Sequence, residues 1–266
     1  MTNVLFLHAH PDDEAIFTGG TIAQLSERGH QITVVFATGG ELGLPNDEEE
    51  LEVIRKNEAQ RACEILGVKN VHFLGFHDSG LDPTKFPANA LALSEMDEAA
   101  KILANIMKDR KIEVIFCDDE NGIYGHPDHK ACHEIAVKAA DIHGLNCAME
   151  FTVDGEHLHF VESHVVKDAF DAFGIDPGSS LYRDRSTRQH PGLTTVEITE
   201  TVSVNGQHLT RKREAMAAHP SQIPADSAPL QYVDQDFQQV YGLEWFRHTA
   251  LHDAHKPIKT ILDELR

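Results

Sequence analysis

Four short apolar runs alternate along the first half of the chain with segments whose apolar residues recur every three or four positions. Uninterrupted β-branched runs are typical of strands buried on both faces, and the three- and four-residue spacing is typical of amphipathic helices. A repeated strand–helix order predicts an α/β protein with a three-layer, Rossmann-like fold and a mainly parallel sheet. The predicted strands are 3–8, 31–38, 70–76 and 111–119, and the predicted helices are 14–28, 49–66 and 94–109.

The pattern changes after residue 145. The stretches "AMEFTV", "HLHFV" and "TTVEIT" have the composition of short strands, and "HLTRKREAMAAH" has the spacing of a helix. Segment 174–192 is rich in glycine, serine and charged residues, which predicts a long loop. We expect a single domain over 1–266, with a β-α core in 1–145 and a smaller, more irregular part in 146–266.

Four polar loops follow the predicted parallel strands: "HAHPDDE", "TGGELG", "FHDSGL" and "DDENGIYGHPDHK". Loops at the carboxyl ends of parallel strands line a common crevice. The first and last of them each carry a His-Pro-Asp sequence at the start of a helical pattern. Two imidazoles and one carboxylate are the ligand set of a catalytic zinc site with open positions for water. We therefore predict a divalent metal bound by His10, Asp13 and His129, with zinc favoured and iron or cobalt able to take the same set.

The remaining polar residues of these two loops have predicted roles around the metal. Asp12 is the expected general base. His126 is expected to meet the developing oxyanion as a protonated partner, or to protonate a leaving amine, with Asp128 orienting it. Tyr124 is expected to approach the substrate. Glu14 is predicted to face away and only to complement the helix dipole.

Composition restricts the partners of the chain. Acidic residues outnumber basic ones 43 to 23, and the net charge of -20 repels nucleic acid and anionic membranes. No apolar run reaches the roughly 18 residues of a membrane span, and the first residues lack a basic region, so we expect a cytoplasmic protein with a small-molecule substrate. A homo-oligomer is compatible with the sequence. The four cysteines have no CxxC spacing and are expected to be reduced core residues.

Several stretches resemble the PIG-L/LmbE-like family of zinc-dependent N-acetylglucosamine deacetylases. They are "AHPDDE", "HPDH", "TGGELG", "RKNEAQRACEILGV", "FHDSGL" and "KREAMAAHPSQI". The "DSG" and "AAH…Q" elements are most similar to the actinobacterial mycothiol-pathway branch. The resemblance implies the same metal ligands, the same roles for Asp12 and His126, and contacts of Arg55 and Asp78 with sugar hydroxyls. Glu41 and His219 are weaker implied substrate contacts.

The expected activity is therefore removal of acetyl from an N-acetylglucosamine-type amino sugar, such as an N-acetylglucosaminyl-inositol, with 146–266 shaping the substrate site. Three alternatives remain open. An amidase that cleaves mycothiol-type conjugates needs the same metal centre. A non-catalytic metal- or sugar-binding protein needs the ligands but not Asp12, His126 or Asp128. A phosphatase commonly needs two metals and more carboxylates than these loops offer. Each His-Pro-Asp loop taken alone also fits a plain helix cap.

Overall fold

A computed structural model describes residues 1–43, 50–157, 192–251 and 260–265. Its sheet has seven strands in the order β3-β2-β1-β4-β5-β7-β6. The first five of these are parallel, while β7 runs antiparallel to both β5 and β6. The strands are β1 Asn3–His8, β2 Gln31–Thr38, β3 Asn70–Phe76, β4 Val114–Asp118, β5 Cys147–Thr152, β6 Glu200–Ser203 and β7 Leu243–Ala250. The predicted mainly parallel sheet is confirmed.

Helices cover both faces of the sheet. They are α1 Asp13–Phe17, α2 Gly19–Glu27, α3 Leu51–Leu66, α4 Met96–Arg110, α5 Pro127–His143, α6 Gly206–Ala217, α7 Ala228–Gln231 and α8 Asp234–Tyr241. Short 3-10 turns lie at Pro83–Lys85, Leu91–Leu93 and Ile261–Leu265. Among the residues that the structure describes, no helix is long and apolar enough to cross a membrane.

Strand β1 shows why the fold has three layers. Its side chains alternate between the two faces, as they must in a strand. Val4 and Phe6 join the apolar layer beneath α2, α3 and α6. Leu5 and Leu7 join the opposite layer beneath α4 and α5. A strand buried on both faces has no polar side to offer water, which explains its uninterrupted apolar sequence.

Two sequence predictions differ from the structure in detail, and others fall on residues that it does not describe. The helix expected over 14–28 is interrupted at Thr18, whose hydroxyl donates to the Glu14 carbonyl and also contacts the ring of His8. The strand expected at 194–199 lies instead at Glu200–Ser203, where pairing with β7 becomes available. Most of "HLHFV", and the 174–192 loop apart from Gly192, lie outside the described residues. The division into 1–145 and 146–266 stays a prediction.

The cysteines are free, as expected, and belong to the packing of the domain. Three of them are buried and the fourth is half-buried; they are Cys63, Cys117, Cys132 and Cys147. Burial raises the pKa of each thiol. These groups therefore stay protonated at neutral pH and act as small apolar side chains.

The C-terminal part is fastened to the helix that follows the first polar loop. Glu244, at the start of β7, accepts hydrogen bonds from the Gly20 and Thr21 amides of α2, both at 2.8 Å. Its carboxylate also lies 2.6 Å from the Lys212 ammonium of α6, and each of the two side chains is 1% exposed. A Cβ atom at Gly20 would come within 2.3 Å of Val204, so only glycine permits this approach.

Lys212→Met is expected to lower the free energy of unfolding by about 3–5 kcal/mol, because it leaves the buried Glu244 carboxylate without its cation. Lys101→Met is the matched control. Lys101 pairs with Glu98 on the surface of α4, where water screens the ion pair and its contribution to stability is small. Urea denaturation of the two variants gives the comparison, and equal losses would contradict the anchoring role of Lys212.

Candidate metal centre

The two His-Pro-Asp loops meet at one edge of the sheet. One loop follows β1 and the other follows β4, and these strands are neighbours in the sheet. Strand order runs β3-β2-β1 on one side of this junction and β4-β5 on the other. The junction is therefore the switch point of the parallel sheet, where α/β proteins place their binding crevice.

The three predicted ligands lie together at this edge. The Asp13 Oδ2 atom is 3.5 Å from His10 Nδ1 and 3.6 Å from His129 Nε2. Ligand atoms of these three buried residues all lie within 4.8 Å of one another. The backbone N–H of His10 also donates to Asp13 Oδ2 at 2.8 Å, which holds the carboxylate in place. One carboxylate oxygen thus faces two imidazole nitrogens.

Each histidine is oriented from behind by another buried carboxylate. His10 Nε2 donates to Asp128 at 3.1 Å, and His129 Nδ1 donates to Asp118 at 2.6 Å. The nitrogens left over, His10 Nδ1 and His129 Nε2, are those that face Asp13. Metal-binding histidines commonly donate their second ring N–H to a carboxylate in this way. The residues therefore fit a divalent cation, and the donor set of two nitrogens and one oxygen suits zinc.

The pKa values at this centre follow from burial and charge. Burial alone would lower the pKa values of His10 and His129, but the surrounding carboxylates outweigh it and raise both. Burial raises the pKa of Asp13, but the two histidines outweigh it and hold that pKa well below its usual range. The cluster thus favours positive charge beside an ionised Asp13, which is the balance that a bound cation would supply.

The structure corrects two details of the His126 prediction. The Asp128 carboxylate does not reach the His126 ring; it accepts from His10 and from the Ser79 amide at 2.9 Å, as well as from the Ser79 hydroxyl. His126 is held instead by the Asp128 backbone N–H, which donates to its Nδ1 at 3.1 Å. An accepting Nδ1 leaves the ring proton on Nε2. Burial and the neighbouring histidines lower the pKa of His126 to about 2, so the ring is neutral rather than protonated.

Asp12 is held in an unusual backbone conformation. Its φ of 111° lies in a region that residues other than glycine rarely adopt. The Arg55 guanidinium donates to its carboxylate at 3.2 Å and to the Pro11 carbonyl at 2.5 Å. Burial raises the pKa of Asp12 to about 6, against the opposing effect of Arg55. A carboxylate of this kind is suited to accept and return a proton near neutral pH.

The other predicted substrate contacts lie at different distances from the ligands. Asp78 Oδ1 is 3.6 Å from His10 Nε2, and the Tyr124 hydroxyl is 3.3 Å from His129 Nε2. Burial raises the pKa of Tyr124 well above its usual range, so its hydroxyl keeps its proton. Glu41 accepts from the Asp78 amide at 2.9 Å. Asp78 and Tyr124 therefore border the ligand cluster, and Glu41 supports Asp78.

His219 and Glu14 contact each other in the interior of the protein. His219 is fully buried, and its Nε2 donates to Glu14 Oε1 at 2.6 Å. Glu14 is also fully buried, and its Oε2 accepts from the backbone N–H of Asp12 at 2.9 Å. The prediction that Glu14 faces away is wrong, because its side chain is buried and accepts hydrogen bonds from His219 and from the Asp12 amide. The sugar contact of His219 stays a prediction.

Sequence reasoning missed two residues that support the site. Asp118 ends β4, where a buried strand meets the crevice, and its acidic type at that position was the available signal. Ser79 lies in the "DSG" turn after β3, and nothing local indicates that its hydroxyl reaches Asp128 on a distant helix. Contacts between loops of different strands depend on strand order, which the sequence alone does not give.

The fold and the site place this protein among the α/β proteins that carry a two-histidine, one-carboxylate centre at the switch point of a parallel sheet. Residues 5–140, just over half of the chain, match the model of the PIG-L family, described as GlcNAc-PI de-N-acetylase. The chain belongs to the PIG-L family.

Curated relatives and solved structures agree with this assignment. A 1D-myo-inositol 2-acetamido-2-deoxy-alpha-D-glucopyranoside deacetylase of Catenulispora acidiphila is 31% identical, over 89% of this chain and 83% of its own length. The N,N'-diacetylchitobiose deacetylase of Pyrococcus horikoshii superposes with a TM-score of 0.57 at 20% identity, covering 96% of this chain and 87% of its own. An A40926 pseudoaglycone deacetylase superposes with a TM-score of 0.63 at 16% identity, covering 95% and 99%. At these identities the two structures show a shared fold.

The strained conformation of Asp12 leads to a stability prediction. Asp12→Gly is expected to be about 1 kcal/mol more stable than Asp12→Ala in metal-free protein, because glycine adopts positive φ without steric cost. Glu134, exposed in the interior of α5, is the control: there the alanine variant is expected to be the more stable, by about 0.5–1 kcal/mol. Denaturant melts of the four variants provide the measurement. The same order of glycine and alanine at both positions would contradict strain at Asp12.

Proposed function

We propose that this protein is a zinc-dependent N-deacetylase that removes the acetyl group from an N-acetylglucosaminyl-inositol or a closely similar amino-sugar glycoside. One observation carries the proposal: a two-histidine, one-carboxylate cluster whose ring nitrogens are oriented by buried carboxylates, with Asp12 and His126 beside it. A protein that only bound metal or sugar would need neither a carboxylate held in a strained conformation nor a neutral histidine with a free ring N–H. The names of the curated relatives supply the substrate class.

His10, Asp13 and His129 would hold the zinc ion. When bound, zinc polarises an amide carbonyl and makes a nearby water more acidic. Iron and cobalt accept the same donor set, so the metal content of purified protein identifies the ion in use.

The chain's own residues carry the proton transfers. Asp12 accepts a proton from the attacking water and afterwards passes it to the leaving sugar nitrogen, so that water and the amide give acetate and a free amine. The neutral His126 donates its Nε2–H to the carbonyl oxygen as negative charge develops there. Arg55 keeps the Asp12 carboxylate and the Pro11 carbonyl in fixed positions. Asp78 and Tyr124 are proposed to contact the sugar, since both border the ligand cluster.

Release of acetate from defined substrates tests the function. Zinc-loaded protein is expected to act on N-acetylglucosaminyl-inositol with a kcat/KM at least about tenfold above that for free N-acetylglucosamine or diacetylchitobiose, because the aglycone adds binding energy. A mycothiol-type conjugate completes the panel. Acetate release from none of the sugars, with cleavage of the conjugate, would replace the deacetylase with the amidase alternative.

Two variants separate metal binding from proton transfer. His129→Ala is expected to lose bound metal and activity together, because it removes one of three ligands. Asp12→Asn is expected to keep metal and to lower kcat by roughly a hundredfold to ten-thousandfold, the usual contribution of a positioned general base. Metal analysis and steady-state kinetics on both variants decide the assignment. Full metal occupancy in His129→Ala, or normal turnover in metal-replete Asp12→Asn, would contradict the corresponding role.

A further inference from the structure

We infer that Glu14 and His219 form a positioning pair that fixes the backbone of Asp12 and thereby aims its carboxylate. The inference rests on the proposed function, because it assigns Asp12 the proton transfer. It adds two residues that lie outside the predicted set of metal ligands. It also explains why the third acid of "PDDE" is buried next to a histidine that lies 205 positions away in the sequence.

The peptide group between Pro11 and Asp12 is held at both ends. Its carbonyl accepts from Arg55 Nη2 at 2.5 Å, and its N–H donates to Glu14 Oε2 at 2.9 Å. These two hydrogen bonds fix the plane of the peptide and therefore the φ of Asp12 at 111°. Strained conformations persist only where the surroundings determine them from several sides. Without the Glu14 acceptor, rotation of this peptide would swing the Asp12 carboxylate to a new direction.

The carbonyl of Asp12 is fixed as well. It accepts from the backbone N–H groups of Ala15 and Ile16, both at 3.0 Å, and so begins α1. Helix α1 thus fixes the peptide group after Asp12. Arg55 and Glu14 fix the peptide group before it. Glu14 is in turn held by a residue of the C-terminal part.

His219 supplies that hold. Both side chains are fully buried, and the 2.6 Å contact of His219 Nε2 satisfies the Glu14 oxygen that does not face Asp12. A buried carboxylate needs such a hydrogen-bond partner, and the partner also keeps it in one rotamer. Glu14 therefore presents its second oxygen to the Asp12 N–H in a fixed direction.

The segment that carries His219 is itself docked on α3. The Ser221 amide and hydroxyl donate to the Glu58 carboxylate at 3.0 and 2.6 Å. The amides of Gln222 and Ile223 donate to the His219 carbonyl. Residues 219–223 are thus a rigid turn, and the short sequence "HPSQI" serves to place one imidazole behind the catalytic loop.

Steady-state kinetics of zinc-loaded variants test the inference. Glu14→Ala is expected to lower kcat by roughly 10- to 100-fold while KM stays within about threefold, because misplacing a reacting group by about 1 Å costs that much. Zinc content, measured by metal analysis, is expected to remain one ion per chain. Glu14→Gln is expected to recover most of the activity, since the amide oxygen still accepts the Asp12 N–H. If Glu14→Ala does not fold, His219→Ala takes its place in the test. It removes the hydrogen bond that keeps the Glu14 carboxylate in position, and the same change in kcat is expected.

A double-mutant comparison separates positioning from a general structural role. In the Asp12→Asn background, Glu14→Ala is expected to lower kcat by less than about threefold further, because Glu14 acts only through Asp12. Glu150→Ala is the matched control: Glu150, in β5, is fully buried and ion-paired with Arg247 and His133 rather than with the Asp12 loop, and its variant is expected to keep the wild-type kcat.

Three outcomes would overturn the positioning role: a normal kcat in Glu14→Ala, an equal loss in Glu150→Ala, or a full additional loss in the double variant. Normal turnover in Asp12→Asn would overturn the proton-transfer role of Asp12, and the positioning role with it. Absence of acetate release by the wild-type protein would overturn the proposed function instead, so the failures are distinguishable.

Discussion

The centre of this protein depends on giving partners to carboxylates that are buried where water is nearly absent. Asp13, Asp118 and Asp128 are at most 4% exposed, and so are most of their partners. Taking a carboxylate out of water costs several kcal/mol unless a cation or hydrogen-bond donors replace the solvent. His10 and His129 supply that replacement by facing one carboxylate with each ring nitrogen. The two imidazoles cannot turn without leaving a buried carboxylate unpaired, so the cluster is rigid before any metal binds.

The same constraint explains why the C-terminal part is indispensable to a site built from N-terminal loops. Helices α1 and α2 follow the first loop directly, and each carries buried polar groups that their own segment does not satisfy. Glu244 accepts hydrogen bonds from the amides at the start of α2, and Lys212 donates to Glu244. His219 answers Glu14 in α1. The family model matches residues 5–140, yet Lys212, His219 and Glu244, which hold the two helices after the first loop, lie beyond its end.

Periodicity predicted the first four strands because each is local in sequence, and the two His-Pro-Asp motifs predicted a ligand set whose three members the structure brings together. Runs such as 3–8 and 31–38 are buried on both faces, and the spacing of His10 and Asp13 fits one helical turn. The supporting contacts are not local. Ser79 reaches Asp128, and His219 reaches Glu14, only because β3 and α6 are placed beside the site by the order of the sheet. Helical periodicity alone predicted that Glu14 faces away from the site, because periodicity carries no information about a partner 205 residues later in the sequence.

The two histidines of "FLHAHPDDE" have different environments, and their pKa values shift in opposite directions. His8 is the last residue of β1 and points into the apolar layer, where its ring packs 4.7 Å from that of Phe151. Burial lowers its pKa to about 4, so it stays neutral. His10 lies two residues later, beyond the end of the strand, among carboxylates that raise its pKa.

The three acids then divide along the turn into α1. Asp13 faces the histidines, Glu14 faces the C-terminal part, and Asp12 is turned towards Arg55 by its positive φ. Three neighbouring acids, two of them buried, fit here because the backbone directs each to different basic side chains.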